Sequence, residues 1–210
     1  MRPPHVSGWV WSRATAQAWA VVTAAVLLAA SCRLLAEEPA PTSPPSSSDA
    51  ASIRALFEKG AWGAGLAALK RIPEREDEAT DLTLLRAAVA LETADYRNAF
   101  RLYRRLLDRF PEDAGLKNNL AWTRVRASDP AIRDLDRALD EARDALFQRP
   151  SDPNIWNTLA EVYQARGETE RALRLAILAR ELARAAGVKD LRIFEETVRR
   201  CGEQRQTTVP

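Results

Sequence analysis

Residues 153–186 read PNIWNTLAEVYQARGETERALRLAILARELARAA. On each side of Gly167, apolar and small residues recur at three- and four-residue intervals, as they do on the buried side of an amphipathic helix. Two helices that cross need a small residue where their backbones approach, and Ala160 and Ala172 supply it. The stretch therefore predicts a helical hairpin with a tight turn at Gly167.

The same turn recurs along the chain at a fixed interval. Residues 60–62, 94–96 and 128–130 are thirty-four residues apart, and Gly167 follows after thirty-nine. Helix-ending prolines at Pro111 and Pro150 are also thirty-nine apart, so both spacings contain one insertion of five residues, which lies in the loop ASDPAIRDLD. Internal repeats of this length are typical of solenoid proteins. The spacing divides the chain into units at about 49–79, 80–113, 114–152 and 153–186.

The last unit resembles the tetratricopeptide repeat (TPR) family. The resemblance implies an all-α fold, a TPR α-solenoid of about four helical hairpins plus a C-terminal capping helix. Hairpins stack in such a fold because none buries its apolar side alone. Ala176 departs from the pattern, which has a bulky aromatic there, and Gly65 replaces a small alanine in the first unit. The matching residues are Trp156, Leu159, Ala160, Tyr163, Gly167, Ala172 and Ala179.

The segment 188–201 is predicted to be the capping helix. Leu191, Phe194, Val198 and Cys201 follow one another at three- and four-residue steps and form one apolar stripe with a charged back. Cys201 is interpreted as a small buried hydrophobic residue, with an exposed thiol for an intermolecular disulfide as the alternative. Residues 202–210 are expected to be a disordered tail.

The first 36 residues are predicted to be an export signal or membrane anchor. Nineteen uncharged residues lie between Arg13 and Arg33, after a basic start, as in a secretory signal. Three fates stay open: lipidation of Cys32 at a permissive lipobox, cleavage after Ala36, or an uncleaved span. The Pro- and Ser-rich segment 37–48 reads as a disordered linker. We expect a protein on the periplasmic side of the cell envelope, held at the membrane by its N-terminus.

Composition bears on the class of function. The 31 basic residues, nearly all arginine, balance 29 acidic ones, and no dense basic cluster indicates a nucleic-acid partner. The excess of arginine over lysine is interpreted as a mark of a GC-rich coding sequence, and arginine-based recognition of an anion is the alternative. The single histidine, His5, lies in the export segment, which excludes histidine-based catalysis and histidine-ligated zinc from the folded part. No enzyme activity, cofactor or metal is predicted.

The resemblance implies that partner peptides bind the concave side, which the first helix of each unit lines. An asparagine amide there can donate to and accept from a peptide backbone at once, and Trp122 offers a flat apolar anchor. The alternative is that these side chains bond neighbouring helices or belong to the core. A carboxylate clamp is not expected, because only Asn119 matches such a position. The predicted contact residues are Asn118, Asn119, Trp122, Asn157, Glu161 and Gln164.

These features predict a non-catalytic scaffold of the cell envelope that binds a partner protein or peptide. The alternative is a structural subunit of an envelope assembly or secretion complex. A fold that hosts many binding tasks does not identify the pathway or the partner. The oligomeric state is not decided by the sequence.

Overall fold

The computed structural model describes residues 47–75 and 78–208, and in this part of the chain all regular structure is helical. The predicted all-α class is therefore confirmed for the described residues. The helices are α1 Ser47–Glu58, α2 Trp62–Arg71, α3 Thr80–Glu92, α4 Tyr96–Arg109, α5 Ala114–Arg126, α6 Leu135–Gln148, α7 Pro153–Ala165, α8 Thr169–Ala185 and α9 Arg192–Thr208.

Local sequence signals set where the helices begin. An aspartate at the N-cap accepts a hydrogen bond from a backbone N–H of the first turn, which would otherwise have no partner. This cap precedes each of the helices α4 to α7. The helices α3, α5 and α7 begin at the residues where the repeat spacing starts a new unit. The capping residues are Asp95, Asp113, Asp134 and Asp152.

Turn lengths locate the insertion in the structure. Three residues separate α3 from α4 and α7 from α8, whereas eight residues, 127–134, separate α5 from α6. Gly60 and Gly167 adopt positive φ angles of 74° and 81°, and Ala94 takes the same conformation with φ of 59°. A left-handed backbone conformation strains residues other than glycine. The turn at Ala94 is therefore less stable than the turns at Gly60 and Gly167.

The described residues form two compact units, one extending to Arg86 and the other beginning at Ala87. In the smaller unit, α1 packs on α2. The buried ring of Phe57 lies 5.0 Å from the ring of Trp62, edge to face. A Cβ atom on Gly65 would come within 2.8 Å of the Phe57 ring. The glycine that departs from the TPR pattern is therefore required by the aromatic ring that fills its place.

In the larger unit, each helix from α4 to α9 packs on the next. Contacts also join alternate helices, α5 with α7 and α7 with α9. Alanines without exposed surface lie at the places where helices approach closely, which keeps the interior closely packed. These alanines are Ala99, Ala121, Ala138, Ala142, Ala160, Ala172 and Ala176.

The C-terminal helix differs from its predicted bounds. It begins at Arg192 and continues to Thr208, whereas the apolar stripe predicts a helix over 188–201 and a disordered tail after it. Asp190 accepts a hydrogen bond from the backbone N–H of Arg192, which fixes the start. Arg199 pairs with Glu196 and Glu203 at one-turn spacings, and the pair with Glu203 supports the helix beyond Cys201.

Cys201 is fully buried in the main apolar cluster of the larger unit. Of its two predicted settings, the structure therefore shows the buried one. Burial raises the pKa of the Cys201 thiol to about 11. Burial lowers the reactivity of Cys201 by keeping reagents away from it. The raised pKa lowers the reactivity further, because the thiolate is the nucleophile.

We expect Cys201 in the folded chain to react with a disulfide reagent at pH 8 at least about 100-fold more slowly than in urea, because the shift alone reduces the thiolate fraction by about that factor. The measurement uses the full chain with Cys32→Ser, which leaves one cysteine. Equal rates in the folded and unfolded chain, or a disulfide-linked dimer on a non-reducing gel, would contradict this prediction.

The predictions for residues 1–36, including lipidation of Cys32, lie outside the described residues, as does most of the 37–48 linker. Among the helices that the structure describes, none combines the length and the apolar character needed to span a bilayer.

Candidate functional site

Three alternate helices of the larger unit contribute polar side chains to one connected surface. On α5 and α7 these residues are spaced by four, which puts them on one side of each helix. Ion pairs of Glu161 connect α7 to α5 and to α9. We call this surface the polar face, and it consists of Asn118, Trp122 and Arg126 from α5, Asn157 and Glu161 from α7, and Arg200 from α9.

Glu161 lies at the centre of the polar face and is only 4% exposed. Its carboxylate accepts a hydrogen bond of 2.8 Å from Nη2 of Arg200, and Nε of Arg126 lies 3.7 Å away. The carboxylate thus joins α7 to α5 and to α9. Sequence reasoning places Glu161 at the partner surface, whereas the structure places it in an internal ion-pair network.

Asn118 and Asn157 are buried, with 5% and 4% exposure. They occupy the same position in successive repeats. The Oδ1 atom of each is buried without a hydrogen-bond donor among the described residues. Nδ2 of Asn118 makes one long bond of 3.5 Å, to Oδ1 of Asn119. Buried acceptors without a partner are rare in native proteins, because each costs about 1–3 kcal/mol of stability.

The aromatic part of the polar face is formed by Trp122. Its half-buried ring lies 6.5 Å from the ring of Tyr96, edge to face, and 5.0 Å from the guanidinium carbon of Arg126. This geometry is a cation–π contact, which holds the guanidinium in place without using its N–H donors. Trp122 is thus partly exposed, as an anchor for a ligand requires.

Of the two remaining predicted contact residues, Asn119 accepts a long hydrogen bond from Asn118 of the polar face. Asn119 is half-buried and lies close to Tyr103, whose pKa is raised overall by complete burial although Asn119 lowers it. Gln164 is half-buried near the end of α7. The structure therefore joins Asn118 to Asn119 directly and Trp122 to Glu161 through Arg126, while Asn157 lies on the same side of α7 as Glu161.

Sequence reasoning missed Arg126 and Arg200. Arg126 follows Trp122 by one helical turn, so extending the predicted stripe by four residues would have found it. Arg200 lies in the segment interpreted only as a cap, and no sequence signal links it to Glu161. Its role is visible only once α9 is seen to pack beside α7.

The chain matches no protein-family model, and no curated protein is significantly similar to it. The polar face combines two buried acceptors without donors among the described residues, a guanidinium held in place by Trp122 and a partly exposed aromatic ring.

Proposed function

We propose that the helical hairpins form a TPR-type α-solenoid whose polar face binds an extended segment of a partner protein, without catalysis. The order of packing in the larger unit supports the solenoid, since each helix contacts the next and alternate helices also touch. That order is what stacking of hairpins requires. The fully buried alanines support it as well, because they permit close crossing at regular intervals.

The observation that carries the proposal is the pair of buried amide oxygens on Asn118 and Asn157, which have no donor in the described part of the chain and which a ligand reaches only when binding uncovers them. An extended peptide presents backbone N–H groups at regular spacing, and two acceptors repeated on α5 and α7 suit such a ligand. A position that served only stability would favour an apolar residue, because leaving these acceptors without donors costs stability in the free protein.

The double replacement Asn118→Leu and Asn157→Leu is therefore expected to separate folding from binding. Leucine has the same number of side-chain heavy atoms, branched in the same way, and no unsatisfied acceptor, so the free energy of unfolding should stay the same or rise, by up to about 1 kcal/mol per site. Affinity for peptides selected on the wild-type full chain from a displayed random library should fall at least tenfold. Urea unfolding and fluorescence anisotropy measure the two quantities.

The matched control is Asn98→Leu, on the N-terminal turn of α4, which should leave peptide affinity unchanged. Equal affinity in the double variant and the wild type would contradict the proposed role of the two amides. Failure of the library to yield any peptide that binds the full chain would count against the proposed function itself.

We further propose that the protein is exported and held at the membrane by its N-terminus. The support is the basic start followed by nineteen uncharged residues. Mass spectrometry of the mature N-terminus distinguishes lipidated Cys32, a free Glu37 and an intact Met1. A mature chain beginning at Glu37 and recovered without membrane would contradict the anchor, though not the export.

A further inference from the structure

The polar face holds more positive than negative charge. The carboxylate of Glu161 is shared by two guanidinium groups, those of Arg126 and Arg200. Arg200 makes the stronger contact, because its Nη2 donates a hydrogen bond of 2.8 Å to the Glu161 carboxylate. The same nitrogen also donates to Oγ1 of Thr197 at 3.4 Å. Arg126, at 3.7 Å from the carboxylate, is beyond hydrogen-bond distance. One positive charge is therefore left without a hydrogen-bonded counter-ion at this place.

Arg126 is held in place but makes no hydrogen bond to any described residue. Its Nε is buried without an acceptor, and its guanidinium stacks on Trp122. About a quarter of the side chain, 24%, stays exposed, as does 27% of the Arg200 side chain. By contrast, the surface residues Arg192 and Arg199 each donate several hydrogen bonds to carboxylates. The terminal Nη groups of Arg126, which are neither hydrogen-bonded to a described residue nor fully buried, are thus held in a fixed orientation for an external acceptor, whereas its Nε is not accessible.

We infer that the polar face selects acidic segments, with one carboxylate of the ligand pairing with Arg126 and the exposed edge of Arg200. The inference rests on the proposed peptide binding at Asn118 and Asn157. A carboxylate fits the planar guanidinium through two parallel N–H donors. Glu161 fixes the two arginines near each other but neutralises only one of them, and Trp122 supplies an apolar surface beside the pair.

Three fluorescein-labelled octapeptides test this selection on the full chain in detergent: alternating Glu-Ala, Gln-Ala and Lys-Ala. The wild type should bind the Glu-Ala peptide about tenfold or more tightly than the Gln-Ala peptide, and the Lys-Ala peptide most weakly, by fluorescence anisotropy. Arg126→Gln should reduce the preference for Glu-Ala over Gln-Ala to less than about threefold. The control Arg199→Gln, on the exposed side of α9, should keep the full preference.

The outcomes distinguish selection of acidic peptides from peptide binding itself. Equal binding of the Glu-Ala and Gln-Ala peptides overturns the acidic selection while leaving peptide binding in place. A preference for Glu-Ala that survives in Arg126→Gln also overturns it, because the charge that selects the ligand would then lie elsewhere on the chain. Binding of none of the three peptides at millimolar concentration counts against the proposed function.

Discussion

Replacing Arg124 by methionine is expected to lower the free energy of unfolding by about 2–3 kcal/mol, since the half-buried Glu141 loses its counter-ion and its charge-assisted hydrogen bonds. Arg124 is buried on α5, and its Nε contacts both carboxylate oxygens of Glu141 at 3.0 and 3.1 Å. Its Nη1 donates to the carbonyl oxygen of Ile132, inside the inserted loop 127–134, and its guanidinium lies over the ring of Phe100. One side chain thus fixes the insertion to α5 and α6.

The loss in Arg124→Met should depend on pH. Burial raises the pKa of Glu141, and Arg124 is the first of the groups that lower it, so the variant has a still higher pKa at this carboxyl. The folded variant then binds a proton that the unfolded chain releases, and its stability falls as the pH rises through that range. The difference from wild type should be larger at pH 7 than at pH 4, as measured by urea unfolding followed by circular dichroism.

The control for this change is Arg137→Met. Arg137 is mostly exposed on α6 and pairs only with Asp134 one turn away, so its loss should stay within about 0.5 kcal/mol. Should Arg124→Met behave like Arg137→Met, the buried network would not be what holds the insertion in place.

Glu161→Gln is expected to lower the free energy of unfolding by about 2–3 kcal/mol, because the charge-assisted hydrogen bond to Arg200 is lost and two guanidiniums face each other without a carboxylate. The Glu161 side chain is 5% exposed, and both arginines are about three-quarters buried, so solvent screens these charges little. Thermal and urea unfolding of the full chain measure the change, and α9 should be the first helix to lose protection from hydrogen exchange.

The control is Glu181→Gln on the exposed side of α8, for which no measurable change is expected. The alternative for Glu161, a direct partner contact as the sequence indicates, makes the opposite prediction. In that case Glu161→Gln would keep full stability and weaken peptide binding alone.

The repeat units could be predicted because their signals are local in the sequence. Small residues recur where helices cross, and Ala138, Ala160 and Ala172 are all fully buried. The five-residue insertion could be placed too, since it lengthens one turn and leaves the helices intact. The extension of α9 was missed because its support comes from the ion pair of Arg199 with Glu203, which a search for apolar periodicity ignores.

The polar face was only half predictable, since its central contacts join residues far apart in the chain. Asn118 and Asn157 stand out by their equivalent positions in the repeat, whereas Glu161 and Arg200 are 39 residues apart. Arg126 could have been found from its four-residue spacing to Trp122, whereas nothing in the sequence distinguishes Arg200 from the other arginines. Only packing of α5, α7 and α9 shows that two arginines share one carboxylate.

The most direct test of peptide binding at the polar face is ¹⁹F NMR of the full chain labelled with fluorotryptophan, with a library-selected peptide added. Trp122 lies on the polar face, whereas Trp156, whose Nε1 donates to the carbonyl oxygen of Pro150, packs with Phe194 in another cluster. Signals are assigned by replacing each tryptophan with phenylalanine. We predict that the Trp122 resonance shifts with saturating peptide while the Trp156 resonance stays. A bound peptide that leaves Trp122 unchanged would contradict the account.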